Sequence, residues 1–206
     1  MKQERAVRTR RALIESAAVV FGQRGYADAT LSMISAGAGV SPGALHFHFE
    51  NKAAVGAAVE AAAAQRLRAA ARTVYAERTS ALQALTGSTQ ALARLLAYDV
   101  VARTGLQLAR EPAYASESAL LGEWHAYVHR LLTEAREEGA LVPGLSGHSV
   151  AASVVAATFG FAVLGRDDPQ WLSPRTVAGF WRVVMPCLAR PALLPGLDTS
   201  SADAGG

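Results

Sequence analysis

The stretch from Thr30 to Lys52, TLSMISAGAGVSPGALHFHFENK, stops and restarts the chain so often that only very short helices fit into it. Thr30 precedes Leu31 and Ile34, an apolar pair on one face of a helix, and Gly39 supplies the C-terminal stop. Ser41 then caps a second helix. Pro42 fits its first position, where a missing N–H costs nothing. With successive residues about 100° apart, Leu45 and Phe49 share the inner face, while Gly43 and Phe47 point away from it. An outward phenylalanine needs a partner; the alternative is a slightly rotated helix with Phe47 in the core.

The preceding segment, residues 7–24, carries Leu13, Ala17, Val20 and Phe21 at amphipathic-helix spacing, and Gly25 ends it. Three helices therefore fit into the first 50 or so residues. The same region holds Lys2, Arg5, Arg8, Arg10, Arg11, Arg24 and Lys52 against Glu4, Glu15, Asp28 and Glu50, which accounts for the whole formal net charge of +3. One end of the molecule is thus suited to a polyanion.

Beyond Lys52 the pattern stays helical. A long alanine-rich helix runs to about Tyr75, another follows a cap at Thr79 or Ser80, and LAYDVVARTGLQLARE continues to a break at Pro112. A helix starting near Ser118 lines up Trp124, Val128, Leu131 and Ala135. Two more run over Ser149–Leu164 and from about Pro174 to Leu188. No strand-like alternation or internal repeat stands out, and the fold class is all-α. The expected division is a three-helix domain over 1–52, a larger helical domain over 53–190, and a disordered tail over 191–206.

Hydrophobic content of 51% over 206 residues is enough for a real core. No secretory leader is recognised, so the protein is expected in the cytoplasm. The uncharged run Val150–Leu164 is shorter than the roughly 20 residues of a membrane helix, and no membrane partner is expected. Apolar on all sides, it must be buried all round. With TVAGFWRVVMPCL it forms either a four-helix bundle between two subunits or an internal core pair in a monomer. Cys187, the single cysteine, excludes an intramolecular disulfide and is expected as a buried thiol. His125 and His129 stand four apart, a spacing open to a metal, but their stripe continues to Leu132 and Arg136, which favours a solvated flank. No cofactor, metal or hydrolase arrangement is identified, and no enzymatic activity is expected.

FGQRGYADATLSMISAGAGVSPGALHFHFENKAAV, residues 21–55, resembles the TetR family of bacterial repressors: RGY closing the first helix, Thr30 opening the second, AGV at the turn, Gly43 in the third, and HF followed by Lys52. The resemblance implies a helix-turn-helix reading palindromic double-stranded operator DNA as a homodimer. The start of such a reading helix, here Ser41, Pro42, Gly43 and Ala44, lies near the base edges. Phe47 has no hydrogen-bonding atom and can read only an apolar feature such as the thymine methyl. Ser41, His46, His48 and Lys52 are phosphate candidates, with His48 alternatively a buried histidine, and Arg8 and Arg10 belong to a basic arm beside the DNA. Pro42 stands where the family commonly has lysine, arginine or threonine, and His46 where it commonly has tyrosine, which implies weaker non-specific affinity.

DVVARTGLQLARE and EWHAYVHRLLTEAREEGAL resemble the γ-butyrolactone receptors of actinomycetes, a branch of that family in which a tryptophan matching Trp124 lines the ligand pocket. The implied ligand is a small autoregulator that releases the repressor; the alternative is a pseudo-receptor answering to an antibiotic or another lipophilic molecule. Judged on its residues alone, Trp124 is either pocket wall or plain core. Gln65 and Thr158, polar among apolar neighbours, either bind a carbonyl or hydroxyl of the ligand or bond to nearby backbone. Val101, Leu108 and Phe161 are the candidate apolar walls.

Overall fold

The structure, a computed structural model, describes residues 2–116 and 120–196. Its helices are α1 (Lys2–Asp28), α2 (Leu31–Gly37), α3 (Pro42–His48), α4 (Lys52–Glu77), α5 (Ala81–Tyr98), α6 (Val100–Leu108), α7 (Leu120–Glu137), α8 (Gly147–Leu164) and α9 (Pro174–Leu188). Short 3-10 turns follow at Pro169–Leu172 and Pro191–Gly196. No strand forms among the described residues; one antiparallel bridge joins Leu141 to Ala189. The expected helix start near Ser118 and most of the expected tail, 197–206, lie outside the described residues.

The chain divides into two compact units. The first comprises residues 1–67 together with 99–120, and the second 68–98 together with 121–206. The sequence boundary at Lys52 marks the end of the three short-range helices. The packing unit reaches further because the inner face of α4 is buried from Val55 to Ala64.

In the first unit Leu13, Ala17 and Phe21 of α1 close over Ile34, Leu45 and Phe49. α1 begins at Lys2, so its arginines are spaced along a helix instead of an extended arm, in keeping with the helix propensity of Arg and Ala. Gly25, at φ 77°, interrupts it. α6 enters this unit as an insert. Asp99 caps it by accepting from the Ala102 N–H at 2.9 Å, Thr104 Oγ1 donates to Ala18 O at 2.9 Å, and at Gly105 a Cβ would sit 2.3 Å from the Ala63 Cβ. The absent side chain is what lets α6 lie against α4.

In the second unit α5 is capped by Ser80, whose Oγ accepts from Gln83 N at 3.1 Å, and it packs against α8 and α9. α9 turns Val177, Ala178, Trp181, Met185 and Leu188 inward. One expectation fails here. Cys187 is exposed, because it lies about 200° around the helix from buried Met185. Within one chain α8 is buried only along the stripe Ala151, Val154 and Thr158, which speaks against an internal core pair and leaves the subunit bundle to cover the rest. One chain offers it a single packing face. The helix also runs longer than the sequence reading and, by length and composition alone, reaches what a membrane crossing needs.

Asp99 also pairs with the Arg66 guanidinium of α4. Burial alone would raise its pKa, but the Ala102 N–H and Arg66 outweigh that and hold it below the ordinary 3.8. Asp99→Asn keeps a capping side chain and removes the charge, and is expected to cost about 1–2 kcal/mol at neutral pH. Because the folded-state pKa is depressed, the deficit should be complete above pH 3.8, shrink below it, and vanish beneath the folded value. Denaturant midpoints of both proteins from pH 3 to 7 would check this.

Candidate nucleic-acid interface and ligand-binding site

α3 is built as its punctuation requires. Ser41 Oγ accepts from Ala44 N at 3.2 Å, Pro42 occupies the first turn, and Gly39, at φ 67°, turns the chain out of α2 in the left-handed region that favours glycine. Val40 N closes that turn on Ser35 O at 3.0 Å, and Ser16 Oγ of α1 holds Ile34 O at 2.8 Å. Leu45 and Phe49 are 0% and 4% exposed, whereas Phe47 is 80% exposed. The rotated-helix alternative is thereby removed. His48 is half-buried with its ring edge-on to Phe47, centroids 5.2 Å apart, so it steadies the outward ring. His46, Ser41, Pro42 and Gly43 are exposed and Ala44 is half-buried. A Cβ added to Gly43 would meet only Ser41 Oγ, at 4.0 Å, so this edge of α3 is open to a large partner.

The basic candidates separate. Arg8 is exposed on α1, and Arg10 places its guanidinium 5.2 Å from the Phe49 ring centre while remaining exposed. Lys52 has other work. Its Nζ donates to Tyr26 O, Ala27 O and Ala29 O at 2.8, 3.0 and 3.1 Å and lies 4.6 Å from the Tyr26 ring centre. All three of its donors close the end of α1.

In the second unit Trp124 is half-buried and its Nε1 donates to Thr158 Oγ1 at 3.0 Å, while Thr158 itself donates to Val154 O at 2.6 Å. The backbone reading of Thr158 is thereby met, and the same hydroxyl also orients the indole. Tyr127, which the sequence reading missed, stacks on Trp124 at 5.6 Å and shares a 2.8 Å hydrogen bond with Ser88 of α5. Burial pushes the Tyr127 phenol pKa up. The available signal was the position of Tyr127, one turn beyond Trp124 on the same helix. Phe161 lies one turn beyond Thr158, its ring against Phe180 at 5.7 Å. Val101 and Leu108 belong to the buried core of the first unit, and Gln65 is exposed on α4. His125 lies near His129 and His148 on a solvated flank, with centroid distances of 6.5 and 5.6 Å.

Residues 13–59 match the profile of bacterial regulatory proteins of the tetR family, and residues 79–190 that of the tetracyclin repressor-like C-terminal domain. The chain belongs to the TetR family. The A-factor receptor protein of Streptomyces griseus is 30% identical to this TetR-family chain over 194 residues, covering 94% of this chain and 68% of that protein. Among solved structures, CprB from Streptomyces coelicolor, determined in complex with its biological operator sequence, is 31% identical over 95% of either chain with a TM-score of 0.79. A γ-butyrolactone receptor described as ArpA-like is 30% identical over 91% of this chain and 92% of that one, also at 0.79. The TetR-family regulator thus carries its helix-turn-helix in α2 and α3, where the sequence motif placed it.

Phe47→Ala should leave stability within about 0.5 kcal/mol, since the ring is 80% exposed and meets His48 edge-on, yet reduce discrimination between operator and random DNA by roughly tenfold or more. Lys52→Met should do the reverse, lowering stability by about 1–3 kcal/mol with the log–log salt slope of binding unchanged. Thermal melts and salt titrations on both duplexes check the pair; a slope reduced by about one in a fully stable Lys52→Met would return Lys52 to the phosphates.

Proposed function

We propose that this protein is a ligand-responsive repressor that binds palindromic operator DNA as a homodimer and lets go when a small γ-butyrolactone-type molecule enters its second unit. The observation carrying the reading is the pairing of two features in one chain. Phe47 is presented outward on a capped reading helix, and a half-buried Trp124 is held by Thr158 and Tyr127 in the other unit. Relatives named as an A-factor receptor and as γ-butyrolactone receptors run along more than nine-tenths of the chain, which supports the ligand class. Residues 1–52 carry the DNA-contacting groups: Ser41, Pro42, Gly43 and Ala44 approach the base edges beside Phe47, while Arg8, Arg10, His46 and His48 serve the phosphates.

A palindrome calls for two reading heads. The outward faces of α8 and α9, with Ala152, Ala156, Val163, Leu164 and Val183 exposed, supply the apolar surface for a second copy. Small residues on α8 allow close helix approach, and a subunit bundle, not lipid, covers this helix. No catalytic step is assigned to either unit, and the protein acts in the cytoplasm, where its DNA is.

In the lactone site the indole of Trp124 supplies a flat apolar wall, while Thr158, its one proton given to Val154 O, fixes the indole and keeps a lone pair that can accept from a ligand alcohol. The test titrates synthetic alkyl-substituted γ-butyrolactones into the protein on its operator, following release and tryptophan fluorescence. Trp124→Ala should stay folded, since a part-exposed ring costs less than the about 3–5 kcal/mol of a core tryptophan. It should bind operator normally and no longer respond. A folded mutant that releases DNA at the wild-type lactone concentration would contradict the assignment.

A further inference from the structure

Glu60 is a carboxylate 6% exposed in the middle of α4, within the first unit, and no DNA or ligand contact explains it. Its two oxygens are taken by one short segment: Tyr114 OH donates to Oε2 at 2.8 Å and Ser116 Oγ donates to Oε1. Tyr114 is 8% exposed, its ring 4.8 Å from that of Tyr26. A Cβ at Gly56 would stand 2.9 Å from the Tyr114 ring, so a glycine on α4 makes the seat. Tyr26 in turn is the residue on which Lys52 lies and whose carbonyl it holds.

The connectivity gives this arrangement its meaning. Residues 99–116 pack in the first unit although α5 before them and α7 from residue 121 onward pack in the second. The insert is tied to α4 at both ends. Asp99, at its entry, pairs with Arg66; Tyr114 and Ser116, near its exit, bond to Glu60. Between them Gly105 rests on Ala63 and the Val59 carbonyl. Buried carboxylates are expensive unless fully hydrogen-bonded, so one whose partners all come from a loop makes that loop's position a matter of its own solvation.

We infer that Glu60 is a positioning residue that, through Tyr114 and Ser116, fastens the exit of the 99–116 insert to the reading head, so that the state of either unit is passed to the other through this tie. Detached, the insert would move without moving α4, and occupancy of one unit would alter the other far less. The inference deepens the repressor reading and uses it only for the identity of the DNA arm of the test.

Amide hydrogen exchange on full-length protein provides that test, with wild type, Tyr114→Phe, Ser116→Ala and Glu60→Gln compared. Without DNA, Tyr114→Phe should speed exchange in 106–116 and also in the α7 amides 128–135 of the other unit. With a duplex that wild type selects from a random-sequence pool, wild-type α7 amides should slow by about fivefold or more, the scale of ordinary coupling between sites. Tyr114→Phe and Ser116→Ala should bind that duplex within about threefold of wild type and lose most of the α7 response. Glu60→Gln, which keeps one acceptor for Tyr114, should recover part of it. Variants that pass the signal as strongly as wild type would overturn the tie. So would a wild type whose α7 ignores the duplex, or a Tyr114→Phe that loses protection everywhere and merely unfolds. If wild type selects no duplex but the DNA-free arm behaves as stated, the repressor reading falls and the tie stands.

Discussion

A helix of seven residues does not hold itself together in water, because nucleation costs more than so few backbone hydrogen bonds return. α3 exists only because Leu45 and Phe49 are buried against α1 and α2, and that burial fixes which way Phe47 points. The rest of the reading head serves this constraint. Ser41 and Pro42 define where the helix begins, Gly39 lets α2 end abruptly enough to bring it in, and Arg10 covers the ring of Phe49 at its far end. An exposed edge made of one aromatic ring and the open flank of a glycine costs little to present. Most of its ordering is done before DNA arrives.

The same economy of support appears along α4. Its N-terminal residue Lys52 closes α1, and Glu60 and Arg66 hold the two ends of an inserted segment that begins and ends in the other unit. Small residues, Gly56 and Ala63, give the insert its seat. In the second unit the polar side chains are paired across helices: Trp124 with Thr158, Tyr127 with Ser88. Such pairs fix the two stacked rings across helices.

How much of this the sequence disclosed depended on whether the signal was local. The caps at Thr30 and Ser41, the stop at Gly39 and the outward turn of Phe47 follow from periodicity and turn chemistry within a few residues, and the structure has them all. The break at Asp99 is missed: LAYDVVARTGLQLARE reads through it as one pattern, because the apolar runs on either side of Asp99 look continuous. The partners of Lys52 and Glu60 were not legible, since carbonyls at 26–29 and hydroxyls at 114 and 116 are brought there by tertiary packing alone. Val101 and Leu108 looked like ligand walls because apolar residues near a recognised motif cannot be sorted between two cores by sequence. α8 left two readings open for a related reason: an all-apolar helix announces that it must be covered, without saying that one chain will leave most of it bare.

The central claim is that two copies of one reading head, joined through α8 and α9, recognise a palindrome. Selection of duplexes from a random-sequence pool by full-length protein, with the mass of the resulting complex measured by sedimentation, tests it most directly. The account requires enriched duplexes carrying two inverted half-sites, centred a helical turn or a multiple of it apart, each bound by an even number of chains. Enrichment of a single unrepeated half-site bound by one chain, or of no sequence at all, would contradict it.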